Sequence, residues 1–274
     1  MTFSLDGGQR LDESLRRSVR LSGRRTQRLA AILDVLAQRS SVDIHELARI
    51  TEVSEATLRR DLEFLENQDL LRRTHGGATS NAASELPVRY RDGQQREAKH
   101  RIARVCAELV SRRSQAVAIS GGSTTTEVAR LLADRRELTI VTNAINIAME
   151  LSTQPNLRII VAGGQLRSQT SEVVGAWTER FLEGLNFSVT IMGVDGVSAH
   201  GGLTTHDAVE ARSNRKMMDR SQKVIIVADH TKIGHVTLSP IADVGKGQLL
   251  ITDSNAPADE VAALRAKGME VHLA

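Results

Sequence analysis

The chain has 274 residues, 41% of them hydrophobic, which is enough to bury a sizeable core and to divide into two domains. A single cysteine, Cys106, and no CxxC pair exclude an intramolecular disulfide framework and a thiolate metal cluster, so the cytoplasm is the expected compartment. The formal net charge of +3 permits nucleic acid as a partner without demanding it, and the apolar runs are too short to span a bilayer or to serve as a signal core.

The basic residues cluster at the amino end. Arg10, Arg16, Arg17, Arg20, Arg24, Arg25 and Arg28 are opposed only by Asp12 and Glu13. Residues 1–22 are expected to form a flexible basic arm, and the whole stretch to Arg28 suits a phosphate backbone.

Residues 23–80 predict three short helices and a hairpin. Leu29, Ile32, Leu33 and Leu36 make an i, i+3, i+4, i+7 stripe on the first helix. In "SVDIHELARI", Ile44, Leu47 and Ile50 are expected to point inward from a second, shorter helix. Ser54 reads as the N-cap of a third, with Leu58, Leu62 and Leu65 on its buried face.

That assignment leaves Glu55, Ala56, Thr57, Arg59, Arg60 and Glu63 on the surface. Small side chains at the start of the helix allow close approach to a major groove, and the arginines after them can bond guanine or phosphate bidentately. Such a pair of helices is a helix-turn-helix. "LLRRTHGGA" would be its wing, with Gly76-Gly77 taking positive φ at the tip and Arg72, Arg73 and His75 reaching the flanking backbone. The expected DNA-binding residues are therefore Ser54, Ala56, Thr57, Arg59, Arg60, Arg72, Arg73, His75 and Gly76. Taken singly, Arg59 paired with Asp61 or Glu63 would be an ordinary surface ion pair.

Residues 81–97 are polar, contain Pro87 and read as a linker running into a helix whose inner face is Ile102, Val105, Cys106 and Leu109. From 98 to 274 the strands "AVAIS", "LTIVT", "LRIIVAG", "FSVTIMGVD", "KVIIVAD", "GQLLITD" and "MEVHLA" alternate with helical stretches such as "TTTEVARLLADRR" and "AINIAMELST". That alternation predicts a Rossmann-like α/β domain: a parallel sheet covered on both faces, with ligands beyond the carboxyl ends of the strands.

At those ends, "SGGSTTTEVA" sets Ser120, Gly121, Gly122, Ser123 and Thr124 at a helix start, where backbone N–H groups favour an anion. It is neither a Walker loop nor a G-x-G-x-x-G fingerprint, so nucleotide hydrolysis has no support and no cofactor is expected. Thr142, Asn143, Gly163, Gly164, Asp195, Thr204, Thr205, Asp207, Glu210, Asp229 and Lys232 follow other strands. Such carboxylates, amides and hydroxyls beside a phosphate loop suit a polyhydroxy compound with one phosphate, although Asn143 or Asp207 could equally cap a helix. The histidine pairs His200/His206 and His230/His235 lack metal-ligand spacing.

Two resemblances sharpen these expectations. "SVDIHELARITEVSEATLRRDLEFLENQDLLRRTHGGA" resembles the DNA-binding signature of the DeoR family of bacterial transcriptional regulators. Residues 85–274 resemble that family's effector domain through "ELPVR", "AKHRIA", "GGSTTTEVA", "TIVTN", "VAGGQLR", "IMGVDGV", "GGLTT" and "VADHTKIG". The resemblance implies a winged helix-turn-helix followed by a fold like those of ribose-5-phosphate isomerase and coenzyme A transferase. It further implies a cytoplasmic regulator, most often a repressor of carbohydrate genes, that binds operator DNA as a homodimer or homotetramer and senses a phosphorylated sugar. Lys99, Ser123, Thr124 and Lys232 would then hold the phosphate, Asn143, Asp195 and Glu210 would meet sugar hydroxyls, and Gly121, Gly122, Gly164 and Thr204 would complete the pocket. The competing expectation is a sugar-phosphate isomerase with Glu210 as base, but such isomerases resembling this fold place a lysine where "SAHGGLTT" has His200.

Overall fold

The computed structural model describes residues 24–36, 39–81, 85–111 and 116–274, so the expected arm at 1–22 lies outside the described residues. The chain separates into two compact units, Met1–Leu86 and Pro87–Ala274.

In the first unit, helix α1 covers residues 24–36, followed by β1 (Ser41–Asp43), α2 (Ile44–Thr51), α3 (Glu55–Glu66), β2 (Leu71–Thr74) and β3 (Gly77–Ser80). Asp43 caps α2 by accepting from the His45 amide at 2.7 Å, and Ser54 caps α3 through the Thr57 amide. Leu29, Ile32, Leu33, Leu36, Leu47, Leu58, Leu62 and Leu65 are buried as their spacing requires.

Ile50 is not: it is 45% exposed. Six residues at about 100° each turn it roughly 120° away from Ile44, off the stripe that ends at Leu47. Residues 41–43 likewise form a strand rather than the start of α2, and β1 joins the hairpin in the order β1-β3-β2.

Asp61 carries the strongest polar anchor of this unit. Its buried carboxylate takes Arg28 Nε at 2.6 Å and Arg25 Nε at 3.3 Å, and Arg25 also lies 4.5 Å over the Phe64 ring. The last two arginines of the expected basic stretch are therefore committed to clamping α1 against α3. Arg59 pairs with Glu55 one turn back at 3.0 Å, not with Asp61 or Glu63.

The wing turns through His75 and Gly76, with Thr74 opposite Gly77. Neither Gly76 nor Gly77 has positive φ, contrary to expectation. Gly77 is required for a different reason: a Cβ there would stand 2.0 Å from the Val42 carbonyl oxygen, because β1 packs against it.

The second unit begins at Pro87, within the expected linker, and its first helix, α4 (Val88–Arg91), buries Val88 and Tyr90. Then come α5 (Arg96–Leu109), β4 (Ala116–Ile119), α6 (Ser123–Leu132), β5 (Leu138–Thr142), α7 (Ile145–Leu151), β6 (Leu157–Val161), β7 (Gln165–Arg167), β8 (Glu172–Val174), α8 (Ala176–Glu183), β9 (Phe187–Gly193), β10 (Gly196–Ser198), β11 (Gly202–Thr205), α9 (Ala208–Asp219), β12 (Ser221–Val227), β13 (Ser239–Ala242), β14 (Leu249–Thr252), α10 (Ala258–Ala266) and β15 (Glu270–Leu273).

Every apolar segment expected as a strand enters one parallel seven-stranded sheet, ordered β15-β14-β12-β9-β4-β5-β6. Strand alternation divides its side chains between two cores. Val117, Ile119, Ile225 and Val227 pack with Ile102, Cys106, Val128 and Leu132 on one face. Ala118, Val224, Ile226 and Leu250 pack with Leu182, Met217 and Leu264 on the other. Burial pushes the Cys106 thiol up to about 12, which leaves it unreactive. The buried face of α5 runs through Ala98, Lys99, Ile102, Ala103 and Cys106, while Leu109, expected inside, is 38% exposed.

Gly77→Ala is expected to cost roughly 2 kcal/mol or more through backbone displacement between β1 and β3. A thermal melt of the full chain should show a lowered transition, and an unchanged melt would refute the contact.

Candidate functional site

On the first unit, Ala56, Arg59, Arg60, Arg72, Arg73, His75 and Gly76 are exposed together with Ser54, and Thr57 is half-buried beside the cap. The face is partly self-neutralised. Glu55 lies 2.9 Å from His45 as well as pairing with Arg59, and Arg73 is held by Glu66, whose oxygens take both its Nε, at 2.6 Å, and its backbone amide, at 2.9 Å. Those contacts with Arg73 hold the Glu66 carboxyl below its ordinary range. Among the described residues, Arg60 and Arg72 form no ion pair, so the two arginine pairs each keep one guanidinium uncommitted.

In the second unit the sheet changes winding direction between β4 and β9, since the chain moves from β4 outward to β5 and β6 and then returns to β9 on the other side. A crevice opens beyond the carboxyl ends of such neighbouring strands. There the Gly193 amide donates to Ser120 Oγ at 3.1 Å, and a Cβ on Gly193 would lie 3.1 Å from the Gly121 carbonyl oxygen.

Helix α6 begins in this crevice. Gly122 precedes it with φ of 132° and no capping side chain. Thr126 is the first residue whose amide reaches back, to the Gly122 carbonyl oxygen at 3.0 Å. The amides of Ser123, Thr124 and Thr125 have no acceptor among the described residues, and the side chains of Ser123 and Thr124 are buried beside them.

A charged network surrounds this helix start. Asp195, after β9, takes Arg91 Nη1 at 2.9 Å on Oδ1 and the Thr205 hydroxyl at 2.9 Å on Oδ2, with Lys232 Nζ at 4.0 Å. Burial alone would raise the Asp195 carboxyl, but Arg91, Lys232, His206 and Thr205 hold it below its ordinary value. Lys99 is buried and donates to the Arg91 carbonyl oxygen at 2.6 Å. Burial lowers its ammonium to about 8 although Asp229 pulls the other way.

Glu172 accepts from the Gly121 amide at 2.6 Å, and burial raises its carboxyl. A Cβ on Gly121 would meet the Glu172 side chain at 2.4 Å, which accounts for glycine there. Glu210 is pushed up to about 9, first by burial and then by the charge of Glu172.

Lys99, Gly121, Gly122, Ser123, Thr124, Asp195, Glu210 and Lys232 are thus brought to one end of the sheet. Four of the residues named from the sequence are otherwise engaged. Thr204 turns into the small antiparallel sheet β10-β11-β13, where its hydroxyl accepts from the Thr237 amide at 2.9 Å; its neighbour Thr205 joins Asp195 and Glu210 instead. Asn143 is fully buried and donates to the Val173 carbonyl oxygen at 3.3 Å. Gly164 makes room for Thr178, whose Oγ1 would stand 2.1 Å from a Cβ. Asp207 caps α9 through the amides of Val209 and Glu210. Arg91, Arg167 and Glu172 carried no expectation, and they lie on elements of three or four residues that no periodicity reveals.

Residues 28–84 match the DeoR-like helix-turn-helix domain, and residues 94–254 match the DeoR C terminal sensor domain. The chain is 33% identical over 251 residues to the glycerol-3-phosphate regulon repressor of Escherichia coli (strain K12), covering 91% of this chain and 99% of that protein. It is 34% identical over 230 residues to the transcriptional repressor AccR of Agrobacterium fabrum, covering 83% of this chain and 89% of that one. Among solved structures, ribose 5 phosphate isomerase A from Neisseria gonorrhoeae aligns with a TM-score of 0.36 and 16% identity over 52% of this chain and 53% of that chain.

Asp195→Ala removes the buried carboxylate that Arg91 and Lys232 face and should destabilise the chain by roughly 1–3 kcal/mol at neutral pH. Urea unfolding monitored by circular dichroism checks this; a midpoint equal to wild type would show that the pair contributes nothing.

Proposed function

The chain belongs to the DeoR family of transcriptional regulators, a helix-turn-helix domain followed by a sensor domain, and from that premise we propose that it represses carbohydrate-metabolism genes until a phosphorylated sugar or polyol binds its second unit. The observation that carries this reading is the start of α6, where three consecutive amides lack acceptors among the described residues, at the end of the sheet where Arg91, Lys99 and Lys232 also gather. A phosphate is the ligand that satisfies several amides at once and gains from the helix dipole.

In this proposal Ser123, Thr124, Lys99 and Lys232 hold the phosphate. Asp195, Thr205 and Glu210 face the hydroxyls, with Asn143 and Gly164 shaping the wall from behind. The relative named for the glycerol-3-phosphate regulon supports a small phosphorylated polyol as the class of ligand.

The isomerase alternative is weaker on two counts. A carboxyl held near 9 is mostly protonated at neutral pH and makes a poor resident base. At the position of the missing lysine, His200 is exposed, and its Nδ1 bonds Ser198 Oγ at 2.6 Å.

On the DNA side, α3 enters the major groove with Ser54, Ala56 and Thr57 near the bases. Arg59 and Arg60 make base or phosphate contacts, while Arg72, Arg73, His75 and Gly76 place the wing along the backbone. Two half-sites require at least a homodimer, with a homotetramer the next closed assembly, acting in the cytoplasm. The ligand acts by binding the DNA-bound and free states unequally, since equal affinity would shift neither.

Arg60→Ala should weaken binding to the DNA flanking its own gene by about 1–3 kcal/mol and blur its sequence preference, measured by fluorescence anisotropy at fixed salt. An unchanged isotherm would remove Arg60 from the interface. Lys232→Ala should bind the same DNA normally yet need roughly tenfold more glycerol 3-phosphate, or another member of a sugar-phosphate panel, for release. Release at the wild-type concentration would count against the phosphate role.

A further inference from the structure

Thr205 poses a problem of hydrogen counting. Its Oγ1 lies 2.6 Å from Glu210 Oε1 and 2.9 Å from Asp195 Oδ2, all three residues being buried. A hydroxyl has one hydrogen. If both carboxylates were ionised, one of these two contacts would set an anionic oxygen against a lone pair with no proton between them.

Asp195 has every reason to be the ionised partner, because its other oxygen holds the Arg91 guanidinium at 2.9 Å and Lys232 stands close by. The groups facing Glu210 lead the other way. Glu172 on β8 and Asp195 after β9 are both carboxyl neighbours, and crowded carboxyls resist ionising together. Arg167 on β7 approaches Glu210 Oε2 at 3.1 Å, off the hydrogen-bond axis, and lies 3.8 Å from Asp207 as well. His206, beside Thr205, bears on Asp195.

We propose that Glu210 is a neutral carboxylic acid whose proton is donated to Thr205, so that Glu210, Thr205 and Asp195 form a hydrogen-bond row of fixed direction with Arg167 beside its outer end. Oε1 carries the proton and donates to Thr205 Oγ1, Thr205 donates to Asp195 Oδ2, and Oε2 is left as the carbonyl oxygen facing Arg167. Glu210 is a positioning residue: it orients Thr205 and Asp195 and so presents the hydroxyl-facing wall of the sensor pocket in one polarity. Burial and the charge of Glu172, which raise the carboxyl to about 9, agree with this arrangement.

The sign of the pH dependence follows. A carboxyl whose value is raised on folding adds stability that is complete below its unfolded value of about 4.5 and is lost as pH rises towards about 9. Glu210→Gln keeps a donor on one atom and an acceptor on the other but cannot titrate. Melting temperatures of the full chain, measured from pH 6 to pH 8 without ligand, should therefore show wild type losing roughly 2–4 °C per pH unit relative to Glu210→Gln. A difference that stays flat across that range overturns the proposal.

A second readout is carbon-13 NMR of the full chain labelled at glutamate carboxyls. At pH 7 the resonance absent from Glu210→Gln should sit at the protonated position, and finding it at the ionised position overturns the proposal. Should Glu210→Gln fail to fold, Thr205→Val assigns the same resonance by moving it while the other glutamates stay in place.

Only the consequence for the pocket wall rests on the sensor reading. The melting and NMR arms contain no ligand, so a wild-type chain indifferent to every sugar phosphate would defeat the sensor reading and leave the proton assignment standing.

Discussion

The second unit depends on the divergence of the chain at β4. Strand β4 has β5 on one side and β9 on the other, so the connections leaving β4 and β9 separate in opposite directions and cannot fill the space above their ends. Backbone closes over that space only where side chains are missing. Gly121 and Gly193 approach each other across it, and Gly121 leaves room for Glu172. The three amides at the start of α6 remain open because the chain reaches the helix through Gly122, which has no side chain to cap them. Topology creates the crevice, and glycine keeps its floor bare.

Filling such a crevice with ionisable groups is costly unless each is matched. Here the matching is done by neighbours from distant parts of the chain: Arg91 from α4 meets Asp195 after β9, Arg167 from β7 meets Glu210 from α9, and Glu172 from β8 meets the Gly121 amide. Lys99 and Glu210 are both displaced towards their uncharged forms by burial. The crevice therefore holds less net charge than its residue list suggests, and attraction of an anion there would rest on the α6 amides as much as on lysines.

How much was legible in the sequence follows from length and periodicity. The seven strands of the main sheet are β-branched runs bounded by turn residues, and each was recognisable. So were the Ser54 cap, the leucine face of α3 and the glycine-rich start of α6. What was lost lies in pieces too short to show a period. β7 and β8 have three residues each, and they carry Arg167 and Glu172. Which of Thr204 and Thr205 meets Asp195 and Glu210 was not legible, because two adjacent strand residues face opposite ways and composition does not say which way each points. Gly77 was identified correctly as a position that requires glycine but for the wrong cause, since the contact with Val42 involves a strand, β1, that had been read as helix. Arg25 and Arg28 looked free to follow a phosphate backbone because their partner, Asp61, lies more than thirty residues away in sequence.

The cations of the crevice are not equally available to an incoming phosphate. Arg91 is bound to Asp195 at 2.9 Å, and Lys99 is fixed on a carbonyl oxygen at 2.6 Å. Lys232, at 4.0 Å from the same Asp195 oxygen and only half-buried, is the least committed. A dianion at the α6 amides would draw Lys232 first, because moving it sacrifices the weakest existing contact. Asp195 would then depend more heavily on Arg91, which sits on α4 at the very start of the second unit, immediately after the boundary at Leu86. A ligand bound there would bear, through one shared carboxylate, on the first element that follows the DNA-binding unit, and that contact would give unequal affinity for two states a physical basis.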